Sequence, residues 1–209
     1  MEFPKILVIN LDERTDRWKH IKEEFKEWPE PLHRISAVKR TIGWKGCTLS
    51  HQKSVQYAKD HHFPWVLILE DDCKLEKDAL KRFQELLPIL WSRRSDWDIF
   101  IGGFSTALNS GRVIQDNPPI LEAKGYTTHF CLIHEKTYNT ILQMKLEKID
   151  VFYTEHMQLW TTIPFLAIQQ ISHSNIIKKH ANYNSLFKGS TQRFKKTLKK
   201  WRKTHKNHH

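Results

Sequence analysis

The sequence is short of the features that mark several common protein classes. Its three cysteines, Cys47, Cys73 and Cys131, lie far apart with no CxxC spacing. An odd, scattered set of this kind excludes a disulfide framework and reads as reduced thiols. No run of about 18 apolar residues occurs, so no membrane-spanning helix is expected. The opening Met1-Glu2-Phe3-Pro4 passes directly into an apolar run at residues 6–9, with no basic segment before it. That start lacks the pattern of a secretory signal, and a cytoplasmic setting is the expectation. Glycine is scarce, at 7 residues, and neither a Walker A loop nor GxGxxG nor GxSxG appears. ATP-loop, dinucleotide and nucleophile-elbow readings therefore lack support. Ser50 and His51 are adjacent, and adjacent residues cannot form a Ser-His-Asp geometry with each other.

Acidic residues are missing from one part of the chain. Residues 178–209 hold eleven of the 34 Lys+Arg and none of the 23 Asp+Glu, so residues 1–177 balance at zero and the net +11 belongs to the C-terminal segment. The division is read as a globular unit over 1–177 and a basic tail over 178–209. Within the tail Phe194, Leu198 and Trp201 recur at spacings of 4 and 3 among lysines and arginines. A basic amphipathic helix of this type suits an anionic membrane surface, which would make the protein peripheral there. The same pattern also suits a helix that packs its three apolar residues on the body. Nucleic acid is not expected as a partner.

What is present is an alternation of strand and helix patterns. Residues 5–11 and 65–69 are short, nearly continuous apolar runs that suit strands buried on both faces. Trp18, Ile21, Phe25 and Trp28 form one helical stripe, with Asp12 or Thr15 as candidate caps and Pro29 and Pro31 as stops. Helices are expected at 48–61, 76–91, 135–145 and 151–160, and strands at 98–101, 128–133 and 165–169. Residues 104–125, with the Pro118-Pro119 pair, read as a long loop of the kind that forms lids. The sum is an α/β fold, a three-layer α/β/α sandwich with a mostly parallel central sheet.

Three segments carry chemistry. Glu70-Asp71-Asp72 follows a buried strand, and open α/β sheets bind ligands beyond such strand ends. Carboxylate oxygens suit Mg²⁺ or Mn²⁺. In extended chain Glu70 and Asp72 point to one side and Asp71 to the other, so two could hold a metal while the third holds ribose or backbone. A solvated strand end fits the triplet as well. Asn10-Leu11-Asp12-Glu13-Arg14-Thr15-Asp16-Arg17 spans a strand-to-helix turn, where backbone N–H groups and arginines suit a diphosphate; local ion pairs on an exposed helix are the alternative. In Gly46-Cys47-Thr48-Leu49-Ser50-His51, Gly46 permits a turn, and Ser50 and His51 could bond phosphate or sugar.

In this order the segments resemble glycosyltransferase family 25. The likeness rests on Asn10-Leu11-x-x-Arg14-x-Asp16-Arg17, Gly43-x-x-Gly46-Cys47-x-Leu49-Ser50-His51 and Leu67-Ile68-Leu69-Glu70-Asp71-Asp72. It continues more weakly through 128–150 and 172–176. The resemblance implies a GT-A type fold and an inverting transfer of galactose or glucose from a UDP-hexose to a hydroxyl acceptor: a glycan, a lipid-linked saccharide or a protein. It implies Mn²⁺ or Mg²⁺ on Asp72 and Glu70 with His173 as a further ligand. Asn10, Leu11, Arg14, Arg17, Ser50, His51, Glu70 and Asp71 would line the nucleotide sugar, and Asp150 would be the general base. The rival readings are a metal-dependent phosphohydrolase or nuclease, and a nucleotide-sugar-binding module without turnover. The lack of any acidic residue beyond Glu155 weighs against the two-metal site that the first rival needs.

Overall fold

The computed structural model describes residues 2–170, 172–174 and 179–205. Its centre is an eight-stranded sheet in the order β2-β1-β3-β10-β5-β11-β8-β7. The strands are β1 (Lys5–Asn10), β2 (Leu32–Ser36), β3 (Trp65–Glu70), β5 (Ile99–Ile101), β7 (Arg112–Gln115), β8 (Ile120–Glu122), β10 (Phe130–His134) and β11 (Leu159–Thr162). Strand β1 runs parallel to β2 and β3, and β11 parallel to β5. Only β10 and β8 run against the rest, so each of them forms antiparallel pairs with both neighbours. Most strands thus share one direction, and two reversed strands make the sheet mixed.

Alternation along the strands builds two cores. Leu7, Ile9, Val66, Ile68, Ile99, Ile101, Cys131 and Ile133 face one side, where they meet α2 (Gly43–Asp60), α4 (Tyr138–Gln143) and α5 (Ile149–His156). Ile6, Val8, Leu67, Leu69, Phe100, Phe130 and Leu132 face the other, against α1 (Thr15–Glu24) and α3 (Ala79–Ser92). A sheet buried on both faces explains why its strands read as continuous apolar runs. The three-layer α/β/α sandwich is the architecture expected from the sequence.

The differences from expectation are local, and each has a cause. Helix α1 is preceded by Arg14 at its N-cap with no side-chain cap, so neither Asp12 nor Thr15 fills that place; Asp12 instead accepts from Ser36 Oγ at 2.8 Å. Helix α2 begins at Gly43, so Gly46 is helical rather than a turn. Its buried face is Gly46, Thr48, Ser50, His51, Ser54, Val55 and Ala58, a small and polar stripe without an apolar period to read. Residues 104–125 are not one loop. They hold β6 (Thr106–Ala107), β7, β8 and the start of β9 (Gly125–Tyr126), and β7 and β8 form the far edge of the main sheet. Helix α5 stops at His156, and Leu159–Thr162 is a strand where helix was expected. Strand β12 (Ala167–Gln169) leaves the main sheet and pairs with β4 (Cys73–Leu75). Strand β2 has no counterpart in the sequence reading.

The basic C-terminal segment forms α6 (Asn184–His205). Phe187 and Phe194 join the core on the α2 side, Leu198 is buried, and Trp201 is half-buried. Ser190 Oγ accepts from Ala107 N at 2.9 Å and donates to Ser105 O, which fastens the helix to β6.

Two of the helical glycines, Gly46 and Gly189, differ in what surrounds them. A Cβ on Gly46 would lie 2.4 Å from Val38 O, whereas one on Gly189 meets nothing. Gly46→Ala is expected to destabilise by about 1–3 kcal/mol, because the backbone of residues 37–40 must move. Gly189→Ala, in the exposed interior of α6, should stabilise by about 0.5–1 kcal/mol. Urea unfolding of both variants checks the pair of opposite signs.

Candidate active site

The C-terminal ends of β1 and β3 lie side by side, since Ile9 pairs with Glu70. Asn10 leaves one strand and the acidic triplet leaves the other. Asp71 is buried, 7% exposed, and both its oxygens are taken. Asn10 Nδ2 donates to Oδ2 at 2.7 Å, and Arg17 Nη1 donates to Oδ1 at 2.7 Å. Asn10 is held in turn by Arg34 of β2, whose Nε donates to Asn10 Oδ1 at 2.9 Å. Buried charge is tolerable only when paired and hydrogen-bonded in this way.

Glu70 and Asp72 serve other partners. Thr128 Oγ1 donates to Glu70 Oε1, and His51 Nε2 stands 3.4 Å from the same oxygen. Burial works against the charge on Glu70, but the His51 and Thr128 interactions outweigh it and hold the carboxyl below its usual range. Asp72 Oδ2 lies 3.5 Å from Gln169 Nε2 and 3.9 Å from Arg17 Nη1. Its Oδ1 is buried with no hydrogen-bond partner among the described residues. Burial, with the charge on Glu70 adding to it, pushes Asp72 up to about 7, against the pull of Arg17. An orphaned carboxylate oxygen beside a second carboxylate fits a hard divalent cation.

The other expected residues divide into two groups. The charges of Asp71 and Asp72 act on Arg14 from farther off, while it grips Asp16 with both arms, at 3.0 and 2.9 Å. That pair holds the exposed Asp16 at about 2. It is the local ion pair that formed the alternative for this segment. Leu11 contributes its carbonyl, which accepts from Arg14 N at 2.8 Å. Ser50 is buried and internally committed: it accepts from Val38 N at 2.8 Å and donates to Gly46 O at 2.7 Å. Its hydroxyl braces the 37–40 segment against α2. His51 is fully buried beside Glu70, so it acts on the triplet.

Asp150 lies in the first turn of α5 and is half-buried. It is not the N-cap, which is Lys148. Burial raises its carboxyl, and the nearby charge on Glu70 adds to the effect, so Asp150 belongs to the same electrostatic neighbourhood as the triplet. The side chain of His173 lies outside the described residues.

Four site residues escaped the sequence reading. Arg34 sits on the unread strand β2, Thr128 was taken only as the start of a strand, and Gln169 comes from the displaced strand β12. Cys47 joins His51 and Glu70 in a compact group. The i, i+4 spacing of Cys47 and His51 was the one available signal, since those positions share a helix face. Thr127, three residues before β10 begins at Phe130, has φ 151°, a value that β-branched residues seldom adopt.

Comparison with known proteins follows this geometry. Residues 39–98 match the family model described as glycosyltransferase family 25 (LPS biosynthesis protein). The matched stretch holds α2, β3 and the whole acidic triplet, and it leaves out Asn10, Arg17 and Asp150. The match supports a glycosyltransferase of family 25. No curated protein matches the sequence. Among solved structures, a protein from STIV is 14% identical, with 86% of this chain and 100% of that one covered at a TM-score of 0.47. A glycosyltransferase involved in the glycosylation of the major capsid of PBCV-1 is 12% identical, covering 74% and 69% at 0.44. The glycosyltransferase GlyE of Streptococcus pneumoniae TIGR4 is 13% identical, covering 96% and 56% at 0.42. At these scores the likeness adds nothing to what the strand order already says.

The raised Asp72 makes a stability prediction for the protein in chelator. A carboxyl raised from 3.8 to about 7 favours its neutral form in the fold. Its contribution is complete below about pH 4 and is lost as pH rises through about 7. Asp72→Asn mimics the neutral form, so the variant should exceed the wild type in stability at pH 8, with the gap closing toward pH 4. Buried His129, lowered to about 4 by burial, slopes the other way and is common to both proteins. Denaturant melts of the two at matched pH therefore isolate Asp72. Parallel curves across the range would refute the assignment.

Proposed function

We propose that the chain is a metal-dependent hexosyltransferase of GT-A type. It moves galactose or glucose from a UDP-sugar to a hydroxyl on a glycan, a lipid-linked saccharide or a protein, with inversion. The observation that carries this reading is Asp72 Oδ1, a buried carboxylate oxygen without a hydrogen-bond partner among the described residues, beside Glu70 at the strand ends. Asp72 and Glu70 would hold Mn²⁺ or Mg²⁺, which would supply charge neutralisation to the diphosphate. Arg17, fixed by Asp71, adds a guanidinium at the same end.

Inversion takes one displacement. The acceptor oxygen attacks the anomeric carbon, the bond from that carbon to the diphosphate oxygen breaks, and the hydroxyl proton passes to a base. Asp150 is the group for this, because its raised carboxyl stands nearer neutral pH than an exposed aspartate. Asn10 and Asp71 position Arg17 and the strand ends and are not required to touch the donor.

Melting the protein with a panel of nucleotide sugars, with and without Mn²⁺, tests the donor site, since a ligand that binds only the fold raises its Tm. A UDP-hexose is expected to raise Tm only with metal, and Asp72→Ala to abolish the rise. Asp150→Asn should keep the rise and lose turnover by about 100-fold or more, the usual contribution of a general base. A well-folded sample that responds to no sugar nucleotide would overturn the reading and favour the phosphohydrolase.

The acceptor end of the reading is a peripheral position on an anionic membrane surface from the cytoplasmic side. Two observations support it. Lys195, Lys199, Arg202 and Lys203 line a cavity of about 630 Å³ with Pro119, Ile163, Pro164 and Leu198, a basic rim on an apolar floor. All three cysteines are free thiols, in keeping with a reducing compartment. No described helix is long and apolar enough to cross a membrane. Sedimentation with vesicles checks this surface: retention on anionic but not neutral vesicles is expected. Lys199→Glu with Lys203→Glu should weaken it by about 10-fold or more, each basic residue near such a surface contributing about 1 kcal/mol.

A further inference from the structure

Helix α2 brings a second set of ligand atoms to the cleft. Cys47 and His51 stand four residues apart on one helix face, and Glu70 meets them from the end of β3. One ligand atom from each, a sulfur, an imidazole nitrogen and a carboxylate oxygen, lies within 4.8 Å of the others. His51 is fully buried, while Cys47 and Glu70 are only half-buried, which leaves the group open on one side.

We propose that Cys47, His51 and Glu70 form a site for a borderline-soft divalent cation of the Zn²⁺ class, sharing only Glu70 with the hard-cation corner at Asp72. The donor set decides the class of ion. Thiolate and imidazole favour Zn²⁺ or Co²⁺ over Mg²⁺ and Mn²⁺, which prefer oxygen alone. Three protein ligands with one open side match a site that keeps a position for water or a substrate atom. Burial, with the carboxylates of Glu70, Asp150 and Asp72 adding to it, pushes the Cys47 thiol up, so a cation has to displace its proton, while the same carboxylates draw the cation in. The imidazole is not locked away: one ring nitrogen faces Glu70 at 3.4 Å, and Nδ1 has no hydrogen-bond partner among the described residues. Closure needs only small side-chain adjustments, because α2 and β3 already hold the three ligand atoms within 4.8 Å of one another.

Glu70 belongs to both corners, and this gives the site a consequence. A soft cation drawn to Cys47 and His51 takes Glu70 from Asp72 and lowers the affinity of the hard-cation corner. The site would let Zn²⁺ oppose Mn²⁺ without touching Asp72. Its existence does not rest on the transferase reading.

Cobalt titration of the full chain is the test, because Co²⁺ bound to thiolate gives a near-ultraviolet charge-transfer band that oxygen ligands do not. A band saturating at one equivalent is expected, displaced by Zn²⁺ and not by Mg²⁺. Cys47→Ser should lose the band although Cys73 and Cys131 remain, and His51→Gln should weaken Co²⁺ binding by at least about 10-fold, the loss typical of even an outer-shell partner. Asp72→Asn should keep it, which separates this site from the donor site. Circular dichroism of each variant guards against simple unfolding, and the wild-type titration stands without any variant. Absence of a saturable band in the wild type, or a band that survives Cys47→Ser in a folded sample, would overturn the proposal.

Discussion

The carboxylate of Asp71 ties together the three pieces of chain from which the site is made. One oxygen takes Asn10 from the end of β1, and the other takes Arg17 from the first turns of α1. Asp71 itself leaves β3, the strand that pairs with β1. An aspartate at 7% exposure costs several kcal/mol in desolvation unless its oxygens are satisfied, and here donors meet both. Removing either donor leaves a buried charge, so the arrangement is either complete or expensive. Such an all-or-none tie fixes the strand ends relative to α1.

The tie also assigns the work of the triplet. Because Asp71 is consumed by the scaffold, Glu70 and Asp72 are left as the carboxylates that a ligand could engage. Asp71 and Asp72 turn toward the same Arg17 Nη1, at 2.7 and 3.9 Å. Glu70 is held charged by Thr128 and His51, whereas Asp72 is pushed toward its neutral form by burial and by that same charge. Two carboxylates driven apart in this way make a place where added positive charge relieves the strain on both. A metal or a proton can supply it, and competition between the two is built into the pair.

The architecture was legible in the sequence, and the places where it was not share one cause. Runs such as 65–69 declare a strand buried on both faces, and the stripe from Trp18 to Trp28 declares a helix. Helix α2 was half-read because its buried face is Gly46, Thr48, Ser50, Ser54 and Ala58, small residues that bring the helix close to the sheet without an apolar period. Strands β2, β7, β8 and β11 are short, and their side chains answer to neighbours far along the chain, so local pattern does not mark them. The acidic triplet was visible, because charge after a buried strand is rare. The division within it was not, since which carboxylate is scaffold depends on Asn10, Arg17 and Gln169, 54 to 97 residues away. Ser50 shows the limit most simply: a residue type suited to sugar is spent on Val38 and Gly46.

The charge boundary at residue 177 has a different meaning in three dimensions. All the excess positive charge lies beyond it, yet α6 gives Phe187 and Phe194 to the same core as Ile99 and Phe165. Phe194 packs edge-on against Phe104 and Phe165, and Phe187 against His129, whose chain neighbour Thr128 binds Glu70. The helix therefore supports the back of the site with its apolar face while its lysines point outward. A free basic arm could have carried the same charge at less cost in ordered backbone. Folding it into a helix that shares the core fixes the direction in which the charge faces relative to the cleft.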